Sequence, residues 1–295
     1  MSILKTKELH CCNCTKNSEF TVCESASSSG SVDLDFRPYG SIRFAFGRIY
    51  VKKCPNCGYC SYDIENCYHM YTVATVISTS YKKQLNNEKF PDKANEFLCK
   101  SIILEKHQEI EQAAWAALHA SWICDDSKKY EQSKVCRMKA IELFELANKN
   151  MEISFKKVGK LPVLLVDLYR RAKHFKKANR ICLVRLKFEN DDLLLKILHF
   201  QKHLIELKDF NVHKVENAIE YYDENFVDGV YVDDFENKNS EHHNDIHDSY
   251  DDEFYRQSDY ERDYFDTMTD GEFGDYDDFI RRGGNIDDID SWAGR

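Results

Sequence analysis

The chain has 295 residues, of which 42% are hydrophobic, with 4 prolines, 11 glycines and a formal net charge of −10. That length supports a real core in one large domain or two ordinary ones, and so few chain breakers argue against a many-stranded β protein. "MSILKTKELHCC" lacks the apolar core of a secretory leader, and runs such as "LPVLLV" are too short to cross a bilayer, so a cytoplasmic protein without a membrane partner is expected.

Residues 1–60 read as short strands and loops. "HCCNC" at 10–14 places Cys11 and Cys14 two residues apart, and "CPNC" at 54–57 repeats the spacing with Cys54 and Cys57. Two such pairs supply four thiolates, the tetrahedral set of a closed structural zinc site. Gly58 suits the tight turn after the second pair because it accepts a positive φ. Cys12 is an alternative to Cys11. Cys23, Cys60, Cys67 and His69 are candidates for a second metal. A redox pair would need only one Cys-x-x-Cys, placed at the start of a helix in a βαβ setting. Between the pairs, "ESASSSGS" at 24–31 has the composition of a flexible loop. "SIRFAFGRIYVKKC" at 41–54 alternates, with Ile42, Phe44 and Phe46 on one face, and predicts a strand or hairpin arm ending at Cys54.

Residues 61–226 predict consecutive helices, with apolar residues recurring at three and four. Ala113, Ala117, Ala120 and Cys124 share one helix with Trp115, Leu118 and Trp122. "CDDSKK" at 124–129 reads as a turn, and a helix follows over 130–149. "GKLP" at 159–162 restarts the chain, with Pro162 near a first helical turn. Around residue 174, Tyr169, Phe175, Ala178 and Cys182 have tetratricopeptide-like spacing. Cys99, Cys124, Cys136 and Cys182 are read as small buried apolar residues. Arg170, Arg171, Lys173, Lys177 and Arg180 form a basic stretch able to receive carboxylates from the tail or from a partner.

Residues 227–295 read as an acidic, aromatic-containing and largely disordered tail. From 223 onward the chain has 24 acidic against 6 basic residues, a balance of −18; residues 1–222 have 27 against 35, a balance of +8. "GGNIDDIDSWAGR" predicts a short terminal helix with Asn285 as N-cap and Ile286, Ile289 and Trp292 on one stripe, placed to dock in a groove. The expected fold is therefore mainly α: a zinc-ribbon-like β module, a tetratricopeptide-like stack of helical hairpins, then the tail.

The ordered set of motifs resembles the uncharacterised bacterial family called domain of unknown function 2225. It comprises Cys11/Cys14, "DLDFRPY" at 33–39, "CPNCGY" at 54–59, "LHASWICDD" at 118–126 and "LLVDLYRRAKHFKKA" at 164–178. The likeness covers roughly residues 8–210 and departs from the family in "CCNC", where a proline is usual after the first cysteine. It implies the architecture and no reaction. A closed four-cysteine site argues against catalysis, as does the lack of a His-Glu-x-x-His motif, P-loop or glycine-rich nucleotide fingerprint. The expected function is a non-enzymatic, zinc-stabilised module that binds an as yet unidentified protein, with the tail docking in cis or on a partner. A nucleic-acid-binding zinc ribbon regulated by the tail is the alternative, because the body is basic.

Overall fold

A computed structural model describes residues 2–66, 69–148, 159–227 and 230–231. Met1–Phe226 forms one compact unit and Val227–Arg295 a second. In the second, the expected disordered tail and its terminal helix lie outside the described residues, and so do Ile286, Ile289 and Trp292.

The first unit is mainly helical. It opens with an antiparallel hairpin, β1 (Ile3–His10) and β2 (Asn17–Ser25), whose tip carries the first cysteine pair. Helix α1 (Ser41–Ile49) follows. Two-residue strands β3 (Lys52–Lys53) and β4 (Cys60–Ser61) then flank the second pair. The stack comprises α2 (His69–Ile77), α3 (Thr79–Leu85), α4 (Asp92–Lys106), α5 (Ile110–Asp126), α6 (Tyr130–Ala147), α7 (Lys160–Arg171), α8 (Phe175–Phe188), α9 (Asp192–Glu206) and α10 (Val215–Asn225). Short strands β5 (Phe226–Val227) and β6 (Val230–Tyr231) come last among the described residues.

Helix α5 is the centre of the stack, packed between α4 and α6. Its Ala113, Ala114, Ala116, Ala117, Ala120 and Cys124 are all fully buried, so methyl groups and a thiol let neighbouring backbones approach from several sides. The approach is close enough for side chains to reach across: the Ser101 hydroxyl donates to the Ala113 carbonyl, and that of Ser133 to the Ser121 carbonyl, each at 3.0 Å. Cys99, Cys136 and Cys182 are buried small residues of the same kind.

Four helices end in the same turn. Gln108, Lys128, Lys173 and Lys208 take φ of 62°, 56°, 68° and 53°. In each case the next residue donates its N–H to the carbonyl five positions back, as in Glu109 to Leu104 and His174 to Tyr169. These are Schellman-type stops made without glycine.

The segment 41–54 is not a strand. Residues 41–49 form α1, in which Ala45 is buried, Ile42 and Phe46 are half-buried, and Phe44 is exposed beneath the Arg48 guanidinium. Ile42 and Phe46 satisfy both an alternating pattern and an i, i+4 pattern. Packing of Phe46 on His119 and Trp122 of α5 selects the helix. The serine-rich loop is also pinned: Ile42 N–H donates to Ser27 O, Ser29 N–H to Tyr39 O, and Ser27 N–H to the Ser41 hydroxyl. Gly40, at φ 88°, lies where a Cβ would stand 2.7 Å from the Ser29 hydroxyl.

Candidate metal centre and the strap it anchors

The two cysteine knuckles have one backbone design. Cys11 N–H donates to Lys16 O and Thr15 N–H returns to Cys11 O; Cys54 N–H donates to Tyr59 O and Gly58 N–H returns to Cys54 O. The fifth residue of each knuckle is left-handed, Thr15 at φ 59° and Gly58 at φ 77°. The expected role of Gly58 is thus met. A Cβ there would also stand 2.8 Å from Leu85 of α3, so glycine is needed for room as well as for φ. Tyr81 of α3 braces the second knuckle: its hydroxyl donates to Gly58 O at 2.9 Å and accepts the Cys60 N–H at 3.0 Å.

The knuckles face each other so that the Sγ atoms of Cys11, Cys14, Cys54 and Cys57 all lie within 4.8 Å of one another. Cys11 and Cys57 sulfurs are 3.8 Å apart, those of Cys14 and Cys54 3.7 Å. A metal–thiolate tetrahedron with bonds of about 2.3 Å has edges of about 3.8 Å, so the four sulfurs fit one bound metal ion. The Asn13 amide donates to Cys57 Sγ at 3.4 Å and supports negative charge on it. Burial pushes the Cys11 and Cys57 thiols up. At Cys54 burial acts the same way, but the backbone amides of Cys57 and Asn56 lead the opposing contributions and the thiol falls to about 7.

Cys12 is disulfide-bonded, and it is Cys11 rather than Cys12 that joins the cluster. Cys23 is exposed and bonded to Ser25 O, and Cys60 is buried beneath the second knuckle. Cys67 and the His69 side chain lie outside the described residues. Among the described residues, the cluster of four is the only group arranged to hold a metal.

The chain between the knuckles forms a strap over the helical stack. Leu34 N–H donates to His213 O and Val215 N–H to Val32 O, each at 2.9 Å. Asp35 is fully buried; its carboxylate accepts from Trp122 Nε1 of α5 at 2.9 Å and Arg171 Nη1 of α7 at 2.5 Å. Arg171 also reaches Asp125 at 2.7 Å, and Asp125 in turn pairs with Arg137 of α6. Arg37 pairs with Asp126, and Arg43 lies 3.4 Å from both Asp33 and Asp126. Four carboxylates thus face four guanidiniums, the arrangement that makes buried charge tolerable. Burial opposes ionisation of Asp125, but Arg137 and Arg171 hold its carboxyl below the usual range. Asp33 is different: burial and the neighbouring Asp35 raise it to about 6 against the pull of Tyr39, Arg43 and Arg171.

The expected basic docking stretch divides. Arg170 and Arg171 are interior, 0% and 7% exposed, so they do not form part of a docking surface. Arg170 binds Asp167 and the carbonyls of Asp209 and Asn211, fixing the loop beside the strap. Lys173 is exposed over the Phe210 ring; Lys177 meets Glu145 at 3.2 Å; Arg180 is half-buried on α8. Asp33-x-Asp35 shapes a turn: Phe36 N–H donates to Asp33 O, and Arg37 N–H to the Asp35 carboxylate. Its larger role depends on residues about ninety and more positions away and leaves no local signal.

No helix among the described residues is long and apolar enough to cross a membrane. Comparison with family models, curated proteins and solved structures finds no match to this chain.

Proposed function

We propose that the chain is a non-enzymatic protein-interaction module stabilised by one structural zinc ion, whose acidic tail docks on its own basic helices or on a protein partner. The carrying observation is the set of four mutually close cysteine sulfurs beside a stack of helical hairpins. Four thiolates favour zinc over hard cations and fill its coordination sphere, leaving no position for substrate. Hairpin stacks present surfaces for extended or helical peptides. Lys173 in the turn before α8, with Lys177 and Arg180 on α8 and exposed Lys176 and Lys187 beside them, carry positive charge toward which an acidic segment would be drawn.

The resemblance to the uncharacterised bacterial family is part of this proposal. The three segments that carry it outside the cysteines meet through Asp35, Trp122 and Arg171, which supports reading them as one structural unit.

Affinity capture with full-length and tail-deleted protein, each with and without nuclease, tests the function. A protein partner retained after nuclease treatment is expected, with its yield changed by deletion of 227–295. Capture of nuclease-sensitive material alone would overturn the reading in favour of nucleic acid. Metal analysis should return about one zinc per chain, lost in Cys14→Ser and Cys54→Ser.

A further inference from the structure

The strap sits on the stack as a bound peptide would. Its backbone pairs with His213–Val215 through two hydrogen bonds of 2.9 Å, and its Asp35 carboxylate enters buried donors from α5 and α7. None of those partners belongs to the strap. Leu34 and Asp35 are 1% and 0% exposed. Main-chain pairing for affinity plus one acid read by buried donors is how strand-adding peptide sites work. Asp33 instead meets Arg43 and Tyr39 from the strap's own arm, as well as the field of Arg171.

The chain contains one other Asp–aliphatic–Asp triplet, Asp288–Ile289–Asp290. In sequence register, Ile289 and Asp290 match Leu34 and Asp35, and Asp287 falls at the position of Val32. The 62 residues from Phe226 to Asp288 could span up to about 200 Å when extended, so the triplet can reach this groove. Tethering also places it at an effective concentration on the order of millimolar.

We propose that the groove formed by Trp122, Arg171 and the His213–Val215 backbone is a peptide-binding site that the chain keeps filled with its own strap, and that residues 287–292 are its second ligand, exchanging with the strap. This rests on the reading of the chain as an interaction module and gives that module a site and a ligand class: an extended segment bearing Asp–aliphatic–Asp. No bond is made or broken in the exchange; one carboxylate replaces another on Trp122 and Arg171.

Amide hydrogen exchange on the full-length, zinc-loaded protein tests it. Asp35→Asn loosens the strap, so Leu34 N–H should exchange about 100-fold faster. Val215 N–H should stay protected, because the tail's carbonyl replaces that of Val32. Adding Asp290→Asn should then expose Val215 as well. If Val215 loses protection together with Leu34 in the single variant, or if Asp290→Asn adds nothing, the exchange does not occur. Wild-type protein titrated with a synthetic peptide of residues 284–295 covers failure of Asp35→Asn to fold. Dose-dependent loss of Leu34 protection is expected, but not with the peptide carrying Asp290→Asn. No change up to millimolar peptide overturns the proposal. A negative result here leaves partner capture by the whole chain standing, and failed capture beside a positive exchange overturns only the partner reading.

Discussion

Thr15 and Gly58 occupy equivalent positions in the two knuckles, at φ 59° and 77°. A β-branched residue pays for that conformation and glycine does not. Thr15→Gly should therefore raise the stability of the metal-loaded protein by about 0.5–1 kcal/mol, read as a higher urea midpoint at unchanged slope. Arg171 and Lys173 make an opposite comparison, two residues apart on a stretch that reads as uniformly basic. Arg171→Ala leaves Asp35 and Asp125 buried without their shared cation and should cost about 3–5 kcal/mol. Lys173→Ala removes an exposed side chain and should change stability by about 0.5 kcal/mol or less. Equal midpoints for the two variants would contradict the interior placement of Arg171. Asp33 supplies a pH signature. Its carboxyl is raised to about 6, mainly by burial, so the folded state takes up a proton that the unfolded chain binds only nearer pH 4. Its contribution to stability is therefore greatest below about pH 4 and is lost as pH rises through about 6. Asp125 is depressed and has the opposite slope, losing its contribution only at lower pH. Compared with wild type, Asp33→Asn should lack the decline between pH 4 and 6 when unfolding is measured across that range. The cysteine cluster was legible in the sequence because each pair is a local turn with a fixed gap. Arg170 and Arg171 were not, because the acids and carbonyls that bury them come from residues 35, 125, 209 and 211 as well as the neighbouring Asp167.

Among the elements, α5 is the least tolerant of added volume, because its buried alanines face helices on two sides. Ala117→Leu should cost about 1–3 kcal/mol or more through overpacking, seen as a lowered thermal midpoint with the metal still bound. Its alanine and cysteine spacing was readable in sequence because it repeats at helical period. The helix stops were less so: Gln108, Lys128, Lys173 and Lys208 carry no glycine signal, and only "CDDSKK" and the helical-hairpin spacing around residue 174 pointed to a break. Helix α1 was misread for a different reason. Three apolar residues at 42, 44 and 46 fit a strand locally, and only contact with α5, more than seventy residues on, decides which of them is buried.

Across the whole molecule, the strap joins what composition divides. A cysteine-rich start and a helical body read as separate modules at residue 60, yet Leu34 pairs with His213 and Asp35 with Arg171. Metal removal should therefore be felt far from the sulfurs. Chelation, or Cys14→Ser, should release the strap's ends and change the emission of Trp122, whose indole N–H is held by Asp35. Emission unaltered in a chelated protein shown to be metal-free would mean that the strap holds its place without the metal. The same long-range closure sets an order of assembly during synthesis. The knuckles close once residue 57 is available, but the strap cannot seat until His213–Val215 has been made. At roughly 5–20 residues per second, the ribosome delivers that last backbone about ten to forty seconds after Leu34 has been joined. For that interval the nascent chain carries an aromatic segment with two aspartates, Asp33 and Asp35, in search of its seat, and a chaperone has that window in which to shelter it.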